Sequence, residues 1–156
     1  LSGFVVCAAL IAYALYVQLG LLMLPCPLCI LQRLAFAPLG LAFLAGGLHA
    51  PRGRVGRGIY GLLALVAAGL GAGVAGRHVW LQSLPPGDVP VCTSMGLEYM
   101  VDVMGPGAAL AKVLAGSGEC AKVDWTFLGF SMPAWTLVCY VLRGLGAVWA
   151  AFRPRA

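Results

Sequence analysis

Charged side chains are scarce in this sequence, since Asp, Glu, Lys and Arg make up only 10% of its 156 residues, whereas 62% are hydrophobic. The mean hydropathy is +0.95. This composition excludes an ordinary soluble domain, in which about a quarter of the residues are charged. The apolar stretches also lack the alternation of polar and apolar residues found in the strands of a membrane barrel. We therefore expect a helical membrane protein.

Four apolar stretches are long enough to cross the hydrocarbon core, which takes roughly 20 helical residues. They cover residues 1–24, 29–48, 59–81 and 133–152 and predict a single integral membrane domain that spans 1–156. The first stretch has no small-residue cleavage pattern and is followed by three more spans, so we expect it to be retained. Because the sequence does not begin with Met, we expect a short amino-terminal piece to precede it.

The arginines predict the orientation. Five of the eight lie in the connection between the second and third spans and in the carboxyl-terminal tail, as Arg52, Arg54, Arg57, Arg153 and Arg155. The positive-inside rule places both regions, and hence both termini, on the cytoplasmic side. All five acids lie in the segment 83–130, which is then outside. The formal charge of +5 is thus a topology signal, and we expect no nucleic-acid partner.

Six cysteines separate by predicted depth. Cys7 and Cys139 are mid-span, where a thiol is a small apolar side chain, and we assign them no role. The other four, Cys26, Cys29, Cys92 and Cys120, face an oxidising compartment, where they suit structural disulfides, a metal site or redox chemistry. Zinc is a poor match to a CxxC followed by two cysteines 28 positions apart, and we predict no metal site. A CxxC bridge closes almost no loop, so the close pair favours redox chemistry, whereas the distant pair is ambiguous.

The motif CPLC should begin the second span. Pro27 suits the first helical position, which places Cys29 in the first turn, where free amides favour a thiolate. Arg33 lies four residues later on the same face and is within reach of that sulfur, or of a carbonyl oxygen of a ligand in the bilayer. The alternative is that Arg33 only extends to the surface. A charge inside a span is usually functional, and we favour function.

The motif GRHVWLQ lies at the outer end of the third span. His78 and Gln82 share a helix face, and at the depth of Arg33 they would complete a polar lip around an amphiphilic ligand. The alternative for His78 is a purely structural hydrogen bond. Three glycines of the same span, Gly69, Gly73 and Gly76, predict close helix packing.

The outer segment 83–130 opens with LPPGDVP, a turn-rich stretch. Its centre, AALAKVLAG, predicts a short helix on the membrane surface, which would leave the loops bearing Cys92 and Cys120 mobile above the dithiol.

Three motifs together resemble the DsbB family of bacterial inner-membrane thiol:quinone oxidoreductases: PCPLCILQR, GRHVWLQ with Cys92 after it, and SGECAKVDWTFLGFSMPAW. The resemblance runs in order along nearly the whole chain. It implies an all-α four-helix bundle in the inner membrane, with a horizontal helix in the second periplasmic loop. It also implies periplasmic cysteine pairs and a relay of two disulfides.

The resemblance further implies a role for each cysteine. Cys92 would be attacked by a reduced DsbA-like periplasmic protein of thioredoxin fold, and Cys120 would be its disulfide partner. Electrons would pass to Cys26 and Cys29. Cys26 would exchange with the loop cysteines, and Cys29 would face the quinone and form a thiolate charge-transfer pair with it.

The quinone implied is ubiquinone or menaquinone, reached through the membrane lipid. Arg33 would stabilise negative charge beside it, His78 would line the same pocket, and Gln82 and Met132 would lie nearby. Some relatives carry an acid at the position of Gln32.

Two other interpretations remain. One is an enzyme of the vitamin K epoxide reductase type, but those proteins typically carry their CxxC late in the chain, whereas CPLC comes first here. The other is a non-enzymatic membrane scaffold or metal-handling protein with structural cysteines.

Overall fold

The computed structural model describes residues 1–20, 22, 25–85, 97–116, 118–123 and 126–152. The predictions for Cys92, for the tail arginines Arg153 and Arg155 and for most of LPPGDVP fall outside the described residues. The elements run in the order α1 (Ser2–Gly20), α2 (Pro27–His49), α3 (Arg54–Gln82), α4 (Leu97–Met104), α5 (Pro106–Ala115), α6 (Gly118–Ala121), β1 (Thr126–Phe127), β2 (Phe130–Ser131) and α7 (Met132–Phe152).

Four of these helices, α1, α2, α3 and α7, are long and apolar enough to cross a membrane. The predicted four-helix membrane bundle is therefore confirmed. The helix α5 coincides with the motif AALAKVLAG, and the two-residue strands β1 and β2 pair antiparallel just before α7. The helix α3 begins at Arg54 rather than near residue 59. Nothing in the sequence RVGR prevents this first turn from continuing into the span.

The helix α3 is central to the bundle. It packs against both α7 and α2, and α1 packs on α2. The core lies between these helices and is made of Cys7, Phe36, Leu39, Ala64, Ala68, Ala75, Tyr140 and Ala147. Many other span residues are exposed and apolar, for example Leu62 and Leu145, which suits a surface that faces lipid.

The glycine prediction for α3 is wrong. A methyl group added at Gly69, Gly73 or Gly76 would meet nothing within 4 Å, so these glycines do not mediate close packing. The close approach is at Gly71, where an added Cβ would lie 2.2 Å from the Tyr140 ring of α7. Lipid and protein interior are equally apolar, so the sequence does not reveal which face of a uniformly apolar helix contacts its neighbour.

Tyr140 is the largest fully buried side chain. Its ring stacks on Phe36 of α2 with 4.1 Å between the centroids. Its hydroxyl donates a 2.5 Å hydrogen bond to the backbone carbonyl of Gln32. The position of α2 relative to α7 is therefore fixed directly beneath the turn that carries CPLC.

Candidate functional site

The dithiol lies at the amino terminus of α2. Cys26 is the N-cap in an extended conformation, and Pro27 occupies the first helical position, as predicted. The two Sγ atoms are 2.9 Å apart, and no disulfide joins them. The backbone N–H of Cys29 donates to Cys26 Sγ at 3.3 Å.

Cys26 holds its proton more tightly than an ordinary thiol. Hydrogen bonds to the thiols of Cys120 and Cys29, together with burial, raise the pKa of Cys26 above its ordinary value. Cys26 accordingly donates to the sulfur of Cys29. Negative charge in the pair is thus expected on Cys29, the cysteine for which the sequence predicts a thiolate.

Two further residues reach Cys26 from other elements. His78 of α3 is buried, and its Nε2 lies 3.7 Å from Cys26 Sγ. Cys120 of α6 is also buried, and its carbonyl oxygen lies 3.0 Å from the same His78 Nε2. Because a carbonyl only accepts, Nε2 carries the proton and donates it to Cys120. His78 therefore holds the backbone of Cys120 beside the dithiol.

Gln32 completes this arrangement from α2, and its structural role was not predicted from the sequence. It is buried, its side-chain amide donates to His78 Nδ1 at 3.2 Å, and its oxygen accepts a 2.9 Å hydrogen bond from the Thr136 hydroxyl of α7. The only signal in the sequence is an amide within an apolar span. Its partners lie 46 and 104 positions away, so helical periodicity does not reveal them.

Arg33 is one residue further along α2 and so points about 100° away from Gln32. It donates to the side-chain oxygen of Gln18 in α1, a partner that the sequence analysis did not identify. Its charge also acts on the sulfur of Cys29. The described contacts thus place His78 beside Cys26 and Arg33 beside Gln18, and the polar lip around a ligand stays a prediction.

Gln82 and Met132 lie near the same end of the bundle. The side-chain oxygen of Gln82 accepts a 2.6 Å hydrogen bond from Ser131, which ties the end of α3 to β2. Met132 is half-buried at the first position of α7. The described contacts thus join Cys26, Cys29, His78 and Cys120, and pair Gln82 with Ser131.

The segment that carries Cys120 is fastened to α3 by a second residue. Arg77 donates from Nε to the carbonyl of Leu114 at 3.0 Å and from Nη2 to that of Ala115 at 2.9 Å. These carbonyls lie at the carboxyl end of α5, where a cation is favourable. Gly116 follows with a φ of +93°, and an added Cβ would lie 2.3 Å from Leu81, so this close approach requires glycine.

A family model described as "Disulfide bond formation protein DsbB" matches residues 1–150. The chain belongs to the DsbB family. A relative from Xanthomonas campestris pv. campestris (strain 8004), named "Disulfide bond formation protein B", is 51% identical over 155 residues, which are 99% of this chain and 90% of the relative. Proteins of the same name from Methylococcus capsulatus and Xylella fastidiosa are 51% and 42% identical over 94% and 98% of this chain and 87% and 88% of their own length.

The comparisons confirm the resemblance that the three motifs indicated. Two of those motifs, PCPLCILQR and GRHVWLQ, supply Cys26, Cys29, Gln32 and His78 to the described cluster. The third contributes Cys120, while its residues 117, 124 and 125 are outside the described part of the chain.

Proposed function

We propose that this protein is a disulfide-generating thiol:quinone oxidoreductase of the bacterial inner membrane, with its cysteine pairs in the periplasm. It would oxidise a DsbA-like protein and deliver the electrons to ubiquinone or menaquinone. The observation that carries the proposal is the contact between Cys26 and Cys120, because it links the dithiol on α2 to the cysteine of the outer segment.

The relay follows from thiol exchange. The reduced partner attacks the Cys92–Cys120 disulfide and leaves oxidised, with both loop cysteines reduced. The Cys120 thiolate then attacks Cys26 of the Cys26–Cys29 disulfide, which forms a Cys26–Cys120 bond and releases Cys29 as a thiolate. Cys92 next attacks Cys120, which restores the loop disulfide and returns Cys26 as a thiol. Two electrons and two protons have then moved from the partner to the dithiol.

Two features of the site support this order. Exchange needs one sulfur to approach another in line, and His78 holds Cys120 next to Cys26. Cys29 is the better leaving group, because it lies in the first turn of α2, where the helix dipole favours a thiolate, and because the Arg33 cation lies nearby.

The residues beside Cys29 fit a quinone. The guanidinium of Arg33 has five N–H donors and uses one for Gln18, so donors remain for a carbonyl oxygen. A bound quinone supplies a sink for two electrons and two protons. A DsbA-type protein is already an oxidant at about −120 mV, so its reoxidation needs an acceptor of still higher potential. Arg33 would orient that acceptor and offset negative charge next to the Cys29 sulfur.

The test is quinone reduction by the purified protein in detergent, fed with a reduced DsbA-like donor. We expect turnover in the wild type and in the control Cys139→Ser, and none in Cys29→Ser or Cys92→Ser. Turnover that survives the loss of Cys92 would exclude the loop pair as the point of entry. A donor that is never oxidised would favour the scaffold interpretation.

A further inference from the structure

We propose that the reduced dithiol and His78 form a binding site for a thiophilic divalent cation of the zinc class. The ligands are the Sγ atoms of Cys26 and Cys29 and the Nε2 atom of His78. The proposal does not depend on the proposed function, because it requires only the reduced pair and the position of α3 beside the start of α2.

The three donor atoms already have nearly the spacing of a metal site, since they lie within 4.8 Å of one another. Zinc–sulfur and zinc–nitrogen bonds in a tetrahedron place sulfur and nitrogen about 3.6 Å apart and two sulfurs about 3.7 Å apart. The observed separation of Cys26 Sγ and His78 Nε2 is 3.7 Å. The two sulfurs, at 2.9 Å, need to open by about 0.8 Å. Cys26 can make this movement by side-chain rotation, because it is the N-cap and lies outside the helix.

Zinc is a poor match to CPLC only as long as the two loop cysteines are considered as its partners. The third ligand instead comes from α3, 52 positions after Cys26. Two thiolates and one imidazole are a recognised donor set for zinc, with the fourth position taken by water. Two thiolates also neutralise a divalent cation, which suits a site that is largely shielded from solvent.

The hydrogen bonds around His78 can reverse to accommodate the metal. Coordination through Nε2 requires its proton to move to Nδ1, which must then find an acceptor. Rotating the Gln32 amide by half a turn presents its oxygen to Nδ1 and its NH2 group to Thr136. The Thr136 hydroxyl can accept that bond, because its own proton has a second acceptor in the carbonyl of Pro133 at 2.8 Å. Among the described hydrogen bonds of His78 and Gln32, only the one to the carbonyl of Cys120 is lost.

Binding would proceed with a defined balance. The cation enters, up to two thiol protons leave, and no electrons move. The bound cation would hold both sulfurs reduced and would free Cys120 from His78.

The experiment uses the full chain in detergent, reduced with dithiothreitol and freed of reductant under anaerobic conditions. Cadmium is titrated and followed by its thiolate charge-transfer absorption, and zinc is used as the competitor. We expect one cadmium per chain in the wild type and none in Cys26→Ser, Cys29→Ser or the oxidised protein. We expect His78→Ala to weaken binding by about tenfold or more. Cys139→Ser, a matched thiol within α7, should bind like the wild type.

Equal binding by the oxidised protein, or loss of binding in Cys92→Ser with His78→Ala unaffected, would overturn the proposal. A second measurement does not depend on the folding of the dithiol variants. X-ray absorption of zinc bound to Cys92→Ser should show two sulfurs and at least one imidazole nitrogen as ligands. A shell of three or four sulfurs, or one without imidazole, would contradict the site.

Discussion

The contact between Gly71 and Tyr140 makes a sharp prediction for stability. In Gly71→Ala the new Cβ would lie 2.2 Å from the Tyr140 ring, so the ring must retreat by more than 1 Å to reach an ordinary contact of 3.4 Å. Retreat is opposed on two sides, because the ring stacks on Phe36 and its hydroxyl is bonded to the carbonyl of Gln32.

The expected magnitude combines three effects. Overpacking a core costs about 1–3 kcal/mol, and a strained or lost hydrogen bond costs about 1 kcal/mol. Replacing glycine by alanine within a helix returns up to about 1 kcal/mol. We therefore expect Gly71→Ala to lower the free energy of unfolding by about 1–3 kcal/mol.

The matched control is Gly73→Ala in the same helix, where the added methyl meets nothing within 4 Å. The assay is thermal unfolding of both variants in the same detergent. Gly71→Ala should melt below the wild type, and Gly73→Ala at or above it. A second variant, Tyr140→Leu combined with Gly71→Ala, should show a favourable coupling energy, because the smaller side chain leaves room for the methyl group. Equal melting of the two glycine variants would refute the assigned interface between α3 and α7.

Two further predictions concern the cysteine end of the bundle, which holds Cys26, Cys29 and Cys120. The raised pKa of Cys26 keeps this residue a thiol at pH 8, and Cys120→Ala removes the largest cause of that shift. The alkylation rate of Cys26 is measured against pH by peptide mass spectrometry. In Cys120→Ala the midpoint of this curve should move to lower pH. An unchanged midpoint would contradict the thiol contact. Arg77→Gln should speed hydrogen–deuterium exchange of the amides in 106–121, because it removes the bonds to the carboxyl end of α5. Arg54→Gln, at the opposite end of α3, should leave that exchange unchanged.

Much of the fold could be predicted because hydropathy reports length and depth directly. The start of α2 was also predictable, since Pro27 suits only the first turn and fixes where both cysteines of CPLC lie. These features depend on a residue and its near neighbours in the chain.

The remaining features depend on how each helix is rotated about its axis, and apolar sequence carries little information on that rotation. The hydrogen bond between Gln32 and His78 forms only if α2 and α3 turn particular faces toward each other. In the same way, the rotation of α3 decides that Gly71, and not another glycine of the helix, contacts Tyr140 of α7. Gln18 was overlooked for the same reason, because its partner Arg33 lies on another helix. Polar residues in different spans are therefore better considered together, as candidates for hydrogen bonds to one another, than one at a time.

The central position of α3 has a consequence for biogenesis. Its main partner α7 is synthesised after the other three described spans, whereas α1 and α2 precede α3 in the chain. Until α7 is inserted, Gly71 borders lipid, and the carbonyl of Gln32 lacks the Tyr140 hydroxyl. Before α7 is made, the chain therefore consists of apolar helices in which Gln32 lacks its hydrogen bonds to Tyr140 and Thr136. The surroundings of the dithiol are complete only after α7 is synthesised, and a ribosome that stops before Tyr140 leaves the dithiol without this support.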